Sequence, residues 1–454
     1  MSDHANTLSP LLVAWSSLHK VMKEENVVIE KAPSGRPAPP NLERDLLTFL
    51  AAVCNLHPDS DGVAIAASSA DTTTLYVATG RKLSPALRQA FVRFVHDLRA
   101  AYRDHRHHPA ADACENDVVL AVYRFAYPIL RQFLWDDSNL PKILASLKTE
   151  PVRSLMEEAL KKLKATTKDA GDQDIAPDVL RNMHELCGTI KLLAFEAEDI
   201  EHGSPEHYLL CDITGAFFVV THFRFAPIVS GACLFDDEVS SLMAAGSPTH
   251  EWSVRWIDPV SPRAAFEAAL SASAVAAWLG EYSRTSQFLP WTAAIAKITA
   301  CCPKGLTKTG TRYTATPSRS PDSPLEPAET IQYCEITLLL WLIKHHVPMD
   351  KHIGCSGGRA CWLCVEFAKA LGTTDPDPDG RYAGVAFSDI TDPDRGSVEV
   401  PWVLPADAPD AAVEVLRDAI VTQFRKDAAE YVSRNHEQDA IGLEGYLEWY
   451  NANR

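Results

Sequence analysis

The chain has 454 residues, long enough for a large core and two or three domains, and at 46% hydrophobic with 23% charged residues it has the composition of an ordinary globular protein. A formal net charge of −17 excludes a general polyanion-binding surface, because phosphate recognition needs a clustered positive field, so long duplex nucleic acid is not an expected partner. Eleven cysteines scattered over so long a chain do not form the dense framework of a small secreted domain, and most are expected as buried thiols. No apolar run is long enough to span a bilayer, and the start MSDHANTLSPLLVAW lacks a basic leader region. The expected setting is intracellular, cytoplasmic or nuclear, with no membrane partner.

Residues 1–41 read as a helical leader, with one amphipathic helix over 8–24 and a Pro- and Gly-rich loop over 32–41. In the next segment, 42–80, Leu46, Leu47, Phe49, Leu50 and Val53 recur at helical spacing over 42–56. Two short β-rich runs follow at 63–69 and 74–79 and predict a hairpin. Residues 81–302 are mainly helical. Within them 152–163 and 179–190 carry clear amphipathic faces, and helices are expected at 261–280 and 284–300. One exception is expected at 207–225, where aromatic and β-branched runs flank Thr214-Gly215 and read as a second hairpin. Residues 303–328, rich in Pro, Ser and Thr and carrying Lys304, Lys308, Arg312 and Arg319, read as a basic linker. The segment 329–405 carries the chemistry and a strand at 382–390; a helical tail, with a long helix at 411–431 and a short coda at 442–453, fills 406–454.

The stretch 330–371 predicts helix, strand, helix. Nearly every residue from Ile336 to Ile343 is apolar, so this helix should be buried around most of its circumference. A carboxylate just before such a run, Glu335, is costly unless paired, hydrogen-bonded or neutralised. A short strand follows at 352–356, and Gly357-Gly358 can turn the chain into a second helix that opens on Cys361 and Cys364 and ends at Gly372. Two thiols three apart in a first turn share a face, in a setting that favours thiolates. They are half of a metal site or a redox pair.

A zinc deaminase needs three protein ligands, an open position for water and a non-ligand carboxylate that shuttles protons, with His-x-Glu opening one helix and Cys-x-x-Cys the next. The chain resembles the fungal branch of the toxin-derived nucleic-acid-deaminase-like family, whose motifs run His-Cys-Glu, Ile-Gly-Cys-Ser, Cys-x-x-Cys and Trp-x-x-Pro. The matching residues are Tyr333-Cys334-Glu335, Ile353-Gly354-Cys355-Ser356, Cys361-Trp362-Leu363-Cys364 and Trp402-Val403-Leu404-Pro405, so the close match covers about 330–405. The resemblance implies an α/β, cytidine-deaminase-like three-layer domain, split by the large mainly helical insertion and assembled from 42–80 and 329–405. It further implies a zinc ion held by Cys361, Cys364 and a third ligand at Tyr333 or a neighbour. Glu335 would be the catalytic proton carrier, and the substrate a nucleobase in a nucleoside or a single-stranded nucleic acid. The chain departs from the pattern at two points: Tyr333 replaces the ligand histidine, and Ala360, not proline, precedes Cys361. A phenol with an ordinary pKa of about 10 binds zinc poorly, while the adjacent Cys334 is rotated by about 100° around the helix.

Two further readings stand beside this one. A catalytically inactive deaminase-fold protein would bind protein partners through its helical insertion. Alternatively, Cys361-x-x-Cys364 is a thiol redox pair of the kind found in thioredoxin-like proteins, which leaves Glu335 unexplained. Apart from these, Glu335 can be a salt-bridged core residue and the cysteines small buried hydrophobes. Lesser signals read as structure. Residues 375–380 lack the calcium-loop glutamate, Gly305 to Thr311 lacks phosphate-loop spacing, and 103–108 reads as a solvated helix end. Cys301-Cys302 reads as structural, and His345 and His346 as caps of the apolar helix.

Overall fold

The computed structural model describes residues 5–25, 42–57, 60, 62–68, 74–105, 111–167, 175–196, 200, 205–222, 253–259, 267–280, 291–303, 306–315, 334–348, 352–356, 361–374, 386–387, 402–405 and 407–438. In chain order the elements are α1 (Ala5–Glu24), α2 (Leu42–Cys54), β1 (Val63–Ala67), β2 (Thr74–Thr79), α3 (Pro85–His105), α4 (Ala111–Trp135), α5 (Asn139–Ser146), α6 (Glu150–Thr166), α7 (Pro177–Glu196) and α8 (Pro205–His222). There follow β3 (Ser253–Ile257), β4 (Glu267–Ala269), α9 (Ala272–Leu279), α10 (Trp291–Ala300), β5 (Leu306–Thr309), β6 (Arg312–Ala315), α11 (Cys334–Lys344), β7 (His352–Cys355), α12 (Trp362–Thr374), β8 (Ala386–Phe387) and α13 (Asp410–Gln438). The chain is thus mixed α/β and mostly helical, with small sheets. None of the described helices is long and apolar enough to cross a membrane.

The chain divides into two compact units, one of Pro39–Asp258 with Val347–Gly358, the other of Met1–Ala38, Pro259–His346 and Arg359–Arg454.

In the first unit four strands stand in the order β3-β2-β1-β7. β1 and β2 form the expected antiparallel hairpin, with Val63 opposite Thr79, and β3 joins β2 in parallel with Thr74 opposite Ser253. β7 pairs antiparallel with the other edge of β1, Ala64 opposite Cys355 and Ile65 opposite Gly354. β1 is buried along its whole length, as a central strand must be. α2 packs on β1 and β7 with Leu46, Leu47, Phe49, Leu50 and Val53 inward. Its approach to β7 is at backbone distance: a Cβ on Gly354 would lie 2.1 Å from the Leu47 carbonyl carbon. Helices α3, α4 and α6 to α8 extend the same core, where Phe91 meets Phe94, Phe125 and Trp256 at centroid distances of 5.7–6.0 Å.

The expected hairpin at 207–225 is corrected: Pro205–His222 is the helix α8. Its buried residues Leu210, Ile213, Ala216, Val219 and Val220 recur at three and four, not two, and the helix packs against α4, α5 and α7. Thr214 and Thr221 satisfy their hydroxyls on the carbonyls of Leu210 (2.7 Å) and Phe217 (2.8 Å), so β-branched residues fit the helix without orphaned groups. Burial against neighbouring helices, α2 among them, outweighs β propensity, which spans only about 1 kcal/mol.

In the second unit α1 is buried around most of its surface and packs on α10, α13 and β4. β4, β6 and β5 form a three-stranded antiparallel sheet in that order. Two expectations fall here. Among the described residues of the helix expected over 261–280, Glu267–Ala269 is strand and Ala272–Leu279 is helix, where the side chain of Ser271 accepts the Ala274 N–H as N-cap. Part of the expected linker is the β5–β6 hairpin, turned at Gly310, whose φ of 62° is the left-handed region that glycine occupies without strain. Its residues also end α10: Lys308 donates to the carbonyls of Thr299 (2.6 Å) and Ala300 (3.0 Å), and the Tyr313 hydroxyl meets those of Thr299 and Cys301. The cation read as part of a basic linker is a helix C-cap. His345 caps α11 as expected, through Nδ1 to the Trp341 carbonyl at 2.8 Å. The loop 32–41, residues 316–328, Tyr333, Gly357-Gly358, the acidic turn 375–380 and the coda 442–453 lie outside the described residues, as does most of the strand expected at 382–390.

Candidate functional site

The two helices expected to carry the chemistry are α11 and α12, and they pack on one another. α11 opens on Cys334-Glu335, with Cys334, Glu335, Ile336, Thr337, Leu338, Leu339, Leu340 and Leu342 all buried, the near-complete burial that its apolar run demands. Glu335 retains only 8% exposure; it sits in the first turn, where the helix dipole favours an anion, and accepts from the Cys334 thiol at 3.5 Å.

Cys361 is the N-cap of α12. Its carbonyl accepts the Val365 N–H at 3.2 Å, and its sulphur accepts the Cys364 N–H at 3.4 Å, the two bonds an N-cap residue makes. That capping turn brings Cys361 Sγ and Cys364 Sγ to 3.2 Å. Both are thiols, with Cys361 half-buried and Cys364 buried.

Trp362, the first of the two residues between them, is anchored from a distance. Trp362 meets Trp15 of α1 edge to face, with centroids 4.9 Å apart. Trp15 Nε1 in turn donates to Asp427 Oδ2 of α13 at 2.7 Å. His19 Nε2 donates to the same oxygen at 2.9 Å, because a carboxylate there can only accept, and Gln423 donates to Oδ1 at 2.7 Å. Sequence reasoning missed this support. Trp15 and His19 share a face of α1, but their partner is 412 and 408 residues away, and no local pattern announces it.

Of the residues expected to form a site, the structure thus pairs Cys361 with Cys364 and packs the helix of Glu335 against theirs. Tyr333 lies outside the described residues. Among the described residues no three of His, Cys, Asp and Glu stand together so as to hold a metal ion. Ile353-Gly354-Cys355-Ser356 forms β7 and its end. Ile353 and Cys355 are buried, Gly354 admits α2, and Ser356 meets Val63 twice, its N–H donating to the Val63 carbonyl (2.9 Å) and its Oγ accepting the Val63 N–H (3.0 Å). That motif is sheet architecture. Trp402 is buried at 2% exposure. In comparisons with known proteins, no family model, no curated protein and no solved structure matches this chain.

Proposed function

We propose that the chain is a deaminase-like protein whose zinc-dependent site, built on Cys361, Cys364 and Glu335, acts on a nucleobase in a nucleoside or single-stranded nucleic acid. The observation that carries this reading is the pairing of β7 with β1. β7 lies in sequence between the helix of Glu335 and the helix of the cysteines, and β1 belongs to the hairpin that follows α2, so one strand from each of the segments 42–80 and 329–405 pairs in one sheet. The fit to zinc is partial. Two sulphurs at 3.2 Å stand in for two ligands, against about 3.8 Å expected for thiolates on tetrahedral zinc with bonds of about 2.3 Å. A third ligand is not among the described residues. The residue with a definable task is Glu335, a carboxylate in a dry helix start that can take a proton and return it to the departing amine.

A second reading, a deaminase-fold protein that binds protein partners through the helices of 81–302 and does no chemistry, is favoured by the tyrosine at 333. Elemental analysis of chelator-washed protein separates the two. Catalysis predicts about one zinc per chain, together with ammonia release that falls at least ~100-fold in Glu335→Gln while zinc is kept. Absence of both metal and ammonia release selects the second reading. Full zinc content in Cys361→Ser would remove the cysteines from the ligand set.

A further inference from the structure

We infer that Cys361 and Cys364 form a reversible intramolecular disulfide by exchange with small-molecule disulfides of the glutathione type, with Cys361 as the attacking thiol and Cys364 as the resolving one. This activity goes beyond the deaminase reading and needs neither zinc nor a nucleobase. The sulphurs already stand 3.2 Å apart on one turn, and closing to the bond length of about 2.05 Å asks for a small side-chain rotation. The turn is held from both sides: the Cys361 cap bonds fix its backbone, and Trp362 rests against Trp15, which Asp427 holds by its indole N–H. The pair is asymmetric in a useful sense, since Cys361 is partly open to solvent and Cys364 is buried behind it. Cys54 and Cys187, by contrast, are buried thiols with no cysteine three residues away. Burial pushes Cys54 far above the usual thiol range and Cys187 up to about 12, which leaves both poor nucleophiles.

The exchange balances in two steps. The Cys361 thiolate attacks one sulphur of the small disulfide; a Cys361–glutathione bond forms and the second glutathione leaves as a thiolate with the electron pair of the broken bond. Cys364 then loses its proton and attacks Cys361 Sγ, the intramolecular bond forms, and the first glutathione departs. Two protein thiols are oxidised, one small disulfide is reduced to two thiols, and the two protons end on the departing thiols.

The test uses the full chain after chelator washing, equilibrated across ratios of oxidised to reduced glutathione, then acid-quenched and alkylated. Trypsin releases residues 360–369 (ACWLCVEFAK), which contain both cysteines and no other. The expected result is a form of this peptide that is two hydrogens lighter and blocked to alkylation, rising with the oxidised ratio and fully reversed by dithiothreitol. Cys364→Ser should trap glutathione on Cys361, whereas Cys361→Ser should react at Cys364 at least about tenfold more slowly. Circular dichroism checks that both variants are folded, and the wild-type titration does not depend on them. A peptide that remains doubly alkylated throughout the oxidised series overturns the disulfide, and equal trapping in the two variants overturns the assigned order of attack. Neither outcome bears on zinc content or ammonia release.

Discussion

Asp427 is a carboxylate with 3% exposure that survives burial by accepting from three side chains. An ionised carboxylate in such surroundings is tolerable only when its oxygens are satisfied, and here Oδ2 takes two donors and Oδ1 one. Removing it leaves the Trp15 and His19 donors inside the protein with nothing to meet. Asp427→Ala is therefore expected to lower stability by about 3 kcal/mol, read as a reduced urea midpoint with unchanged slope. Trp15→Phe removes the indole donor while keeping a ring for Trp362 to rest on, so its expected loss is smaller, about 1–2 kcal/mol. Equal losses in the two variants would mean that packing, not the carboxylate, holds the cluster. At this scale the candidate site was half legible. Cys361 and Cys364 announce themselves because a capping turn is a local event. The Asp427 cluster depends on tertiary pairing across more than 400 residues, which sequence spacing does not encode.

Between elements, the closest approach is that of α2 to β7. At Gly354 an added methyl group would sit 2.1 Å from the Leu47 carbonyl carbon and 2.3 Å from its oxygen, so a helix backbone, not a pliable side chain, has to give way. Gly354→Ala should destabilise the protein by about 3 kcal/mol, at the upper end of overpacking effects. Gly372, inside α12 with nothing within 4 Å of its hypothetical Cβ, is the internal control. There Gly→Ala should be neutral or stabilising by up to about 1 kcal/mol, since alanine loses less backbone freedom in a helix. Thermal melts of the pair test the packing directly, and a Gly354→Ala protein as stable as wild type would contradict it. α2, the β1–β2 hairpin, β7 and α12 were legible because their apolar period agrees with their propensity. α8 was not, because its β-branched and aromatic content points to strand while burial at a period of three and four makes it helix. β5 and β6 were hidden by a composition rich in threonine, lysine and proline, and only Gly310 hints at the turn.

At the scale of the molecule, sequence order and spatial order part company. The chain crosses from one unit to the other three times after leaving the N-terminal segment, and residues 347–358 return to the first unit to supply only β7 and its flanks. That strand covers one edge of β1 and the face of α2 that carries Leu47. A fragment of residues 39–258 would keep the aromatic core of α3, α4 and β3 but leave β1 with unpaired backbone groups and α2 with a bare apolar side, and an open edge of that kind invites association. The fragment alone should melt at lower temperature than the same fragment carrying 347–358 behind a flexible linker long enough to cross β2 and β1, and should scatter more light on heating. Three inter-strand spacings of roughly 4.8 Å, from β3 to β7, set that crossing at about 15 Å, within reach of a glycine–serine linker of some ten residues. If the short segment brings no gain in melting temperature, the β1–β7 pairing contributes little to folding, and the main support for the proposed deaminase-like reading falls with it.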